Sequence, residues 1–345
     1  MSEQLGTLEE LPQDYRDAMG EAGVSPLWPM MRNVLPHGAP NPKTQSGYWN
    51  FERLRPLLLR AGELTPVEKA ERRVLVLGDP GRGPGAMQAT ASLYIGMQLL
   101  LPGETAPAHK HTPSAVRVMV EGKGAFTVVD GERLPMEEGD LVLTPGGEWH
   151  DHGHDGDEPV IWLDVLDLPL FVYLEGSYAE EGELQAQRNR PDASAVEYLS
   201  AGLAPSRTRK AAVRRYPMAR YPWARTEAAL RELARYEGEE PVEMDYINPE
   251  TGDDVLPTMG FTAMMLEAGQ TSRPPKRSES AIFHVVKGRG HSVIDGKRVE
   301  WGPKDTFSAP VFAEIDHVAD EESFLIRAHD RPLQEKLGYS EERPR

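Results

Sequence analysis

Cysteine is absent from the 345 residues. That removes disulfides, thiolate metal sites and cysteine nucleophiles together, and leaves imidazole and oxygen to hold any metal. No apolar run is long enough to span a bilayer. Positive charge is also scarce: 38 Lys and Arg stand against 55 Asp and Glu, a formal net charge of −17. Phosphate-backbone affinity needs a basic surface, so neither nucleic acid nor membrane is an expected partner. An anionic small substrate would need cations supplied locally by its pocket. The opening stretch MSEQLGTLEELPQDYRD has neither the basic nor the apolar region of a secretory signal. A cytoplasmic protein is expected.

The length suggests two or three domains. Residues 1–75 read as an N-terminal arm, helical and irregular by turns, whose clearest signal is Thr65-Pro66-Val67-Glu68, a capping threonine with proline at the first helical position and glutamate at the third. The apolar run RRVLVL follows from Arg72, then GDPGRGPGA from Gly78. The spaced glycines Gly81, Gly83 and Gly85 lack the Lys-Ser/Thr pair and the helix of a phosphate-binding loop, so this is a connection. From Ser92 to about Leu170 short β-type runs alternate with turn signals, and Asp130-Gly131 marks a hairpin. This pattern predicts a sandwich or barrel over 76–175.

Residues 176–240 read as a linker. It carries the acidic stretch YAEEGELQ, then SRTRKAAVRRYPMARYPWARTEAALREL, with one amphipathic helix over about Thr226 to Tyr236. Basic residues interleaved with aromatics can mark nucleic-acid binding, but in an acidic chain between two β-rich regions they read as linker. Over 241–345 the β pattern returns as a copy of the first. EGKGAFTVVDGERLPMEEGDLVLTP from Glu121 lies over KGRGHSVIDGKRVEWGPKDTFSAP from Lys287 with one gap, matching Asp140 to Asp305, Pro145 to Pro310, and DLPL at Asp167 to DRPL at Asp330.

Five of the ten histidines lie in AHKHT (Ala108 to Thr112) and WHDHGH (Trp149 to His154). Residues two apart on a strand project to one face, so His109 and His111 form a ready pair of ligands. A third imidazole from a neighbouring strand, His150 or His152, would complete a facial set with positions left open. Arg117 shares strand parity with His111 and Ala115 and is expected to face the interior if no bulge intervenes, and there a buried guanidinium needs an anion. That anion is either an internal carboxylate such as Asp164 or the carboxylate of a substrate, which a planar guanidinium suits.

Gly103-ETAPA-His109-Lys-His111 followed by Gly122, and Gly139-DLVLT-Pro145-Gly-Gly147-Glu-Trp-His150, resemble the two motifs of the cupins. The resemblance implies a mainly β bicupin: two small jelly-roll β-barrels with an N-terminal helical segment and a partly helical linker. The glutamate ligand of that family would fall at about Ala115 or Val116, where nothing binds metal. Three neutral histidines leave the full charge of a divalent ion in place, which favours a chelating anion. In the second copy Pro275, Arg277 and Ile315 stand where the first has His109, His111 and His150, and His317 aligns with His152. The second barrel is therefore expected to bind no metal.

The whole chain most resembles the gentisate 1,2-dioxygenases, a group that includes salicylate and 1-hydroxy-2-naphthoate dioxygenases, most closely from Arg72 to Leu170. The resemblance implies Fe(II) at His109, His111 and His150, and substrate contacts from Arg73, Gln98, Arg117, His152 and Asp164, with Arg117 and His152 closest to the chemistry; Arg72, adjacent to Arg73 and on the opposite strand face, is the alternative to it. It further implies cleavage of gentisate by O₂ to maleylpyruvate in a homotetramer. Fold does not fix function, so a metal-dependent isomerase and a non-enzymatic binding cupin are the competing readings.

Overall fold

The computed structural model describes residues 6–182, 190–200, 203, 206, 215–238 and 240–345. The end of the acidic stretch (183–185) and the basic residues 207–214 of the expected linker lie outside the described residues. The chain forms two compact units, Met1–Lys43 and Thr44–Arg345. In the first, a helix spans Gln13–Glu21 and a short one Met31–Val34.

The second unit contains two pairs of sheets. In the first pair, one sheet runs Arg220–Tyr221, Leu141–Thr144, Ala115–Glu121, Val160–Leu166, Tyr94–Leu100, Arg73–Val76. Its companion runs Ala179–Glu181, Thr105–His111, His150–His154, Ala125–Val129, Glu132–Pro135, Arg190–Pro191. The second pair repeats this order, with a six-stranded sheet centred on Ala281–Lys287 and Ser323–His329 and a four-stranded sheet centred on Gly290–Ile294 and Ile315–Ala319. The expected duplication is present down to its turns: Asp130 and Gly131 have φ of 45° and 81°, Asp295 and Gly296 47° and 77°. Two consecutive positive φ values make a type I′ turn, which matches the twist of the flanking strands.

The halves interlock reciprocally. Strand Tyr48–Trp49 joins the edge of the second half beside Thr306–Ala309, and the chain then enters helix Phe51–Leu64, which packs on Arg73–Val76 and Tyr94–Leu100 of the first. Strand Arg220–Tyr221 joins the first half beside Leu141–Thr144, and helix Trp223–Glu237 packs on Val242–Asp245 and Gly260–Leu266 of the second. A buried aspartate receives the first N–H of each helix: Asp305 from Phe51 and Asp140 from Trp223, both at 2.8 Å. A carboxylate there satisfies an orphan donor and faces the positive end of the helix dipole. Asp167 accepts from Ser114 N at 2.7 Å and from Thr258 of the other half at 2.5 Å, while Asp330 accepts from Ser280 N and from Ser92 of the other half. One apolar core runs across both halves, including Leu58, Ile95, Val118, Trp223, Phe261 and Phe324.

One helix expectation holds and one changes. The helix expected near Thr226 to Tyr236 spans Trp223–Glu237. The one signalled at Thr65 is a single turn, Val67–Ala70, and the long helix precedes it at Phe51–Leu64. Pro56 lies inside that helix and reads in sequence as a breaker, but Asn50 caps its start by accepting from Arg53 N. No helix among the described residues is long and apolar enough to cross a membrane.

Candidate metal centre and substrate pocket

His109 lies directly opposite His150 in the antiparallel pair of Thr105–His111 with His150–His154, and their rings meet edge to face at 4.1 Å. A register shift between Ala106 and His109 turns the end of the first strand, and the His111 ring comes to 5.6 Å from His109 and 4.8 Å from His150. All three imidazoles make the same second contact. Nδ1 of His109 meets Pro107 O at 2.9 Å, Nδ1 of His111 meets Pro113 O at 2.6 Å, and Nδ1 of His150 meets Glu148 O at 2.9 Å. A carbonyl only accepts, so each Nδ1 carries the hydrogen and each Nε2 presents a lone pair. Such carbonyl-oriented imidazoles are the usual outer support of metal ligands.

Burial keeps these rings neutral. It pushes His109 down to about 3, with the Arg72 charge adding to the shift, and His111 to about 4; His150 and His152 are lowered well below the ordinary range. Nε2 of His150 is buried without a hydrogen-bond partner. An unsatisfied buried nitrogen costs about 1–3 kcal/mol, and a metal ion would relieve it.

Proximity alone selects a slightly different trio. Ligand nitrogens of His109, His150 and His152 lie within 4.8 Å of one another, a group able to hold a metal ion. His152, however, has both nitrogens engaged: Nε2 lies 2.9 Å from Arg117 Nη2 and Nδ1 3.0 Å from Thr127 Oγ1. Its Nε2 lone pair is thus already taken by a cation, whereas His111 has its Nδ1 tied to a carbonyl as in the other two rings. His154, on the same strand, bonds Glu158 O at 2.5 Å and serves the adjoining turn.

The opposite wall is a row across the facing sheet, where Gly96, Asp164 and Arg117 are register partners. Arg117 and Asp164 are 3% and 6% exposed. Their Nε and Oδ1 atoms lie 3.0 Å apart, close enough for an ion pair though not aligned as a hydrogen bond. Nη1 of Arg117 reaches Thr144 Oγ1 at 3.3 Å, and Trp162 Nε1 holds the second Asp164 oxygen at 3.0 Å. Of the two anions expected for Arg117, the internal one is in place. Of the Asp164 oxygens, one accepts from the indole and the other faces the guanidinium without a hydrogen bond.

Gln98 is buried two residues along, on the same sheet face, paired with Trp162 and Val74. That pairing decides the neighbouring arginines. Residues of Arg73–Val76 that share the face of Gln98 have the parity of Val74, which is that of Arg72 and not of Arg73. Arg73 turns to the other face and binds Glu104, Gly62 O and Thr65 O. The substrate contact expected of Arg73 is therefore corrected: its side chain braces the helix Phe51–Leu64 outside the cavity. Arg72 makes no ion pair or hydrogen bond through its guanidinium among the described residues, and its charge acts on His109, His111, His152, Arg117 and Asp164. Thr127, Thr144 and Trp162 were not singled out from the sequence. Thr127 is the register partner of His152, Thr144 pairs with Ala115 two residues before Arg117, and Trp162 lies two residues before Asp164 on the same strand face, so the first two show only through strand pairing.

In the second pair of sheets the corresponding space is a cavity lined by Pro275, Arg277, Phe283, Ile315, His317 and Arg327. An ion pair of Arg327 with Glu279 at 3.3 Å occupies its wall. Among the described residues no group of histidines and carboxylates close enough for a metal occurs there.

Comparison with known proteins accords with this geometry. Residues 96–166 match the cupin domain family. A gentisate 1,2-dioxygenase from Ralstonia sp is 52% identical over 99% of this chain and 97% of the relative. A gentisate 1,2-dioxygenase from Aquipseudomonas alcaligenes is 36% identical over 95% of this chain and 94% of that relative. The crystal structure of a salicylate 1,2-dioxygenase from Pseudoaminobacter salicylatoxidans, in adducts with gentisate, superposes with a TM-score of 0.90 at 31% identity, over 98% of this chain and 97% of that one. With identity at that level along nearly its whole length, the chain belongs to the gentisate 1,2-dioxygenase family of cupin enzymes.

Proposed function

We propose that this protein cleaves gentisate (2,5-dihydroxybenzoate) with O₂ to maleylpyruvate, using Fe(II) held by His109, His111 and His150. The observation that carries the reading is the set of three neutral imidazoles, each anchored at Nδ1 to a main-chain carbonyl and each offering Nε2. His152 is left out of the ligand set because Arg117 occupies its Nε2. Bound at the three Nε2 atoms, Fe(II) would supply a Lewis-acidic, redox-active centre at which aromatic acid and O₂ can be brought together.

The chain's own groups bind and orient. Arg72 at the rim and Arg117 inside present cationic donors to a substrate carboxylate, and a guanidinium with five N–H groups can keep Asp164 while taking a second anion. Gln98 offers an amide to a ring hydroxyl, and His152 offers an acceptor. Asp164 acts through Arg117, fixing its plane. The walls Trp162, Met119 and Ala115 exclude water, which strengthens these charge contacts. The second barrel, 241–345, serves structure and assembly, and the first, 76–175, carries the chemistry. We assign the enzyme to the cytoplasm, where reduced iron is maintained, and to a homotetramer; the exposed Val172, Tyr173, Leu174 and Tyr178 offer apolar surface for subunit contact.

Anaerobic reconstitution with Fe²⁺, followed by oxygen uptake on gentisate, salicylate and 1-hydroxy-2-naphthoate, tests the reading. Uptake matched by maleylpyruvate formation with gentisate is expected. Faster uptake with salicylate or the naphthoate would move the substrate within the family, and no uptake with any of the three would refute ring cleavage, as for an isomerase.

A further inference from the structure

The contacts of His152 form a chain whose direction follows from which groups can donate. A guanidinium has donors only, so the 2.9 Å contact from Arg117 Nη2 makes His152 Nε2 the acceptor. A neutral imidazole then carries its hydrogen on Nδ1, which donates across 3.0 Å to Thr127 Oγ1. Thr127 in turn directs its own hydrogen to Met136 Sδ at 3.3 Å, and a thioether has none to return. Thr127, Met136 and His152 are all buried, so water does not complete or reverse the chain.

The second barrel keeps the pair but reverses the ends. Ser292 and His317 are register partners as Thr127 and His152 are, with Oγ and Nδ1 2.7 Å apart. At the position of Met136 stands Trp301, whose Nε1–H donates to Ser292 Oγ at 2.9 Å. At the position of Arg117 stands Phe283, its ring 4.8 Å from that of His317. Ser292 receives a hydrogen from Trp301 and has its own to give to His317 Nδ1. The imidazole there is set as a donor at Nε2, and in the first barrel as an acceptor.

We propose that Thr127 and Met136 are positioning residues that hold His152 in the Nδ1–H form, so that its Nε2 accepts a hydrogen bond from a substrate hydroxyl that replaces the Arg117 N–H. This rests on the function proposed above, and the specificity it adds is for a hydroxylated acid over one lacking that donor. Discrimination arises because, once Arg117 turns its N–H to the substrate carboxylate, the His152 lone pair is left unsatisfied in a dry pocket by an acid that lacks the hydroxyl.

The test uses the full chain with Thr127→Val, Thr127→Ser and Met136→Leu, reading ring ¹⁵N shifts of His152 in the zinc-loaded protein with gentisate added, iron content, and KM and kcat on gentisate. Wild type and Thr127→Ser are expected in the Nδ1–H form. Thr127→Val should lose that preference and raise KM about 10–100-fold with iron content and kcat little changed. Met136→Leu, close in volume, should move the same readouts in the same direction by less. An Nε2–H signal in the wild type, an unchanged KM in Thr127→Val, or equal losses in the valine and serine variants would each overturn the proposal. Failure of the wild type to turn over gentisate would count against the function instead, and the nitrogen spectrum would still decide the tautomer.

Discussion

The two halves of the second unit share their turns, their capping aspartates, their sheet order and a buried hydroxyl–histidine pair, yet the rest of their interiors differs. Where the first has His109, His111, His150 and Arg117, the second has Pro275, Arg277, Ile315 and Phe283. What both keep is what the other half needs: Asp140 and Asp305 each cap a helix that packs across, and Asp167 and Asp330 each accept a hydroxyl from the opposite side. The shared aspartates therefore belong to the frame, and the proposed metal ligands are among the residues that are not shared. In the second interior the same frame encloses a cavity walled by an internal ion pair, Arg327 with Glu279.

The sharpest way to break this contrast is to remove a ligand from the first half. His150→Ala should lose iron and more than about 10³-fold in kcat, over about 4 kcal/mol of barrier, whereas Ile315→Ala at the matching position should leave both unchanged; metal analysis beside steady-state kinetics reads the pair. Arg117→Met and Arg327→Met come next. Each strands a buried carboxylate, Asp164 or Glu279, and should lower unfolding stability by about 3–5 kcal/mol. Only the first should also raise KM for gentisate. Arg72→Leu should raise KM about tenfold, the worth of a charged hydrogen bond, while Arg73→Leu should lower the thermal midpoint and leave KM alone.

A smaller effect separates frame from site by pH. Burial holds His284 of the second barrel down to about 3. The folded state thus binds this proton more weakly than the unfolded chain, with its ordinary value of 6.5. The stabilisation is full above about 6.5 and is lost as pH falls toward 3. His284→Leu should flatten the acid limb of a urea-midpoint profile by about one proton, whatever it changes at higher pH.

Much of this was legible in the residues. Asp130-Gly131 and Asp295-Gly296 announce their turns because both positions need positive φ, and a pair of histidines two apart announces a shared strand face. What stayed hidden depends on partners distant in sequence. The parity of Arg72 and Arg73 is set by Val74 pairing with Gln98, and Pro56 masks a helix whose start is held by Asp305 from 254 residues away. The engagement of His152 is equally non-local, since Arg117 and Thr127 reach it from two other strands.

That engagement separates the two possible ligand trios. The most direct measurement is the iron content of His111→Ala and His152→Ala after anaerobic reconstitution. The account predicts that His111→Ala retains no iron above background and that His152→Ala keeps about one ion per chain with impaired turnover. Iron retained by His111→Ala and lost from His152→Ala would contradict it, and would give the site to His109, His150 and His152.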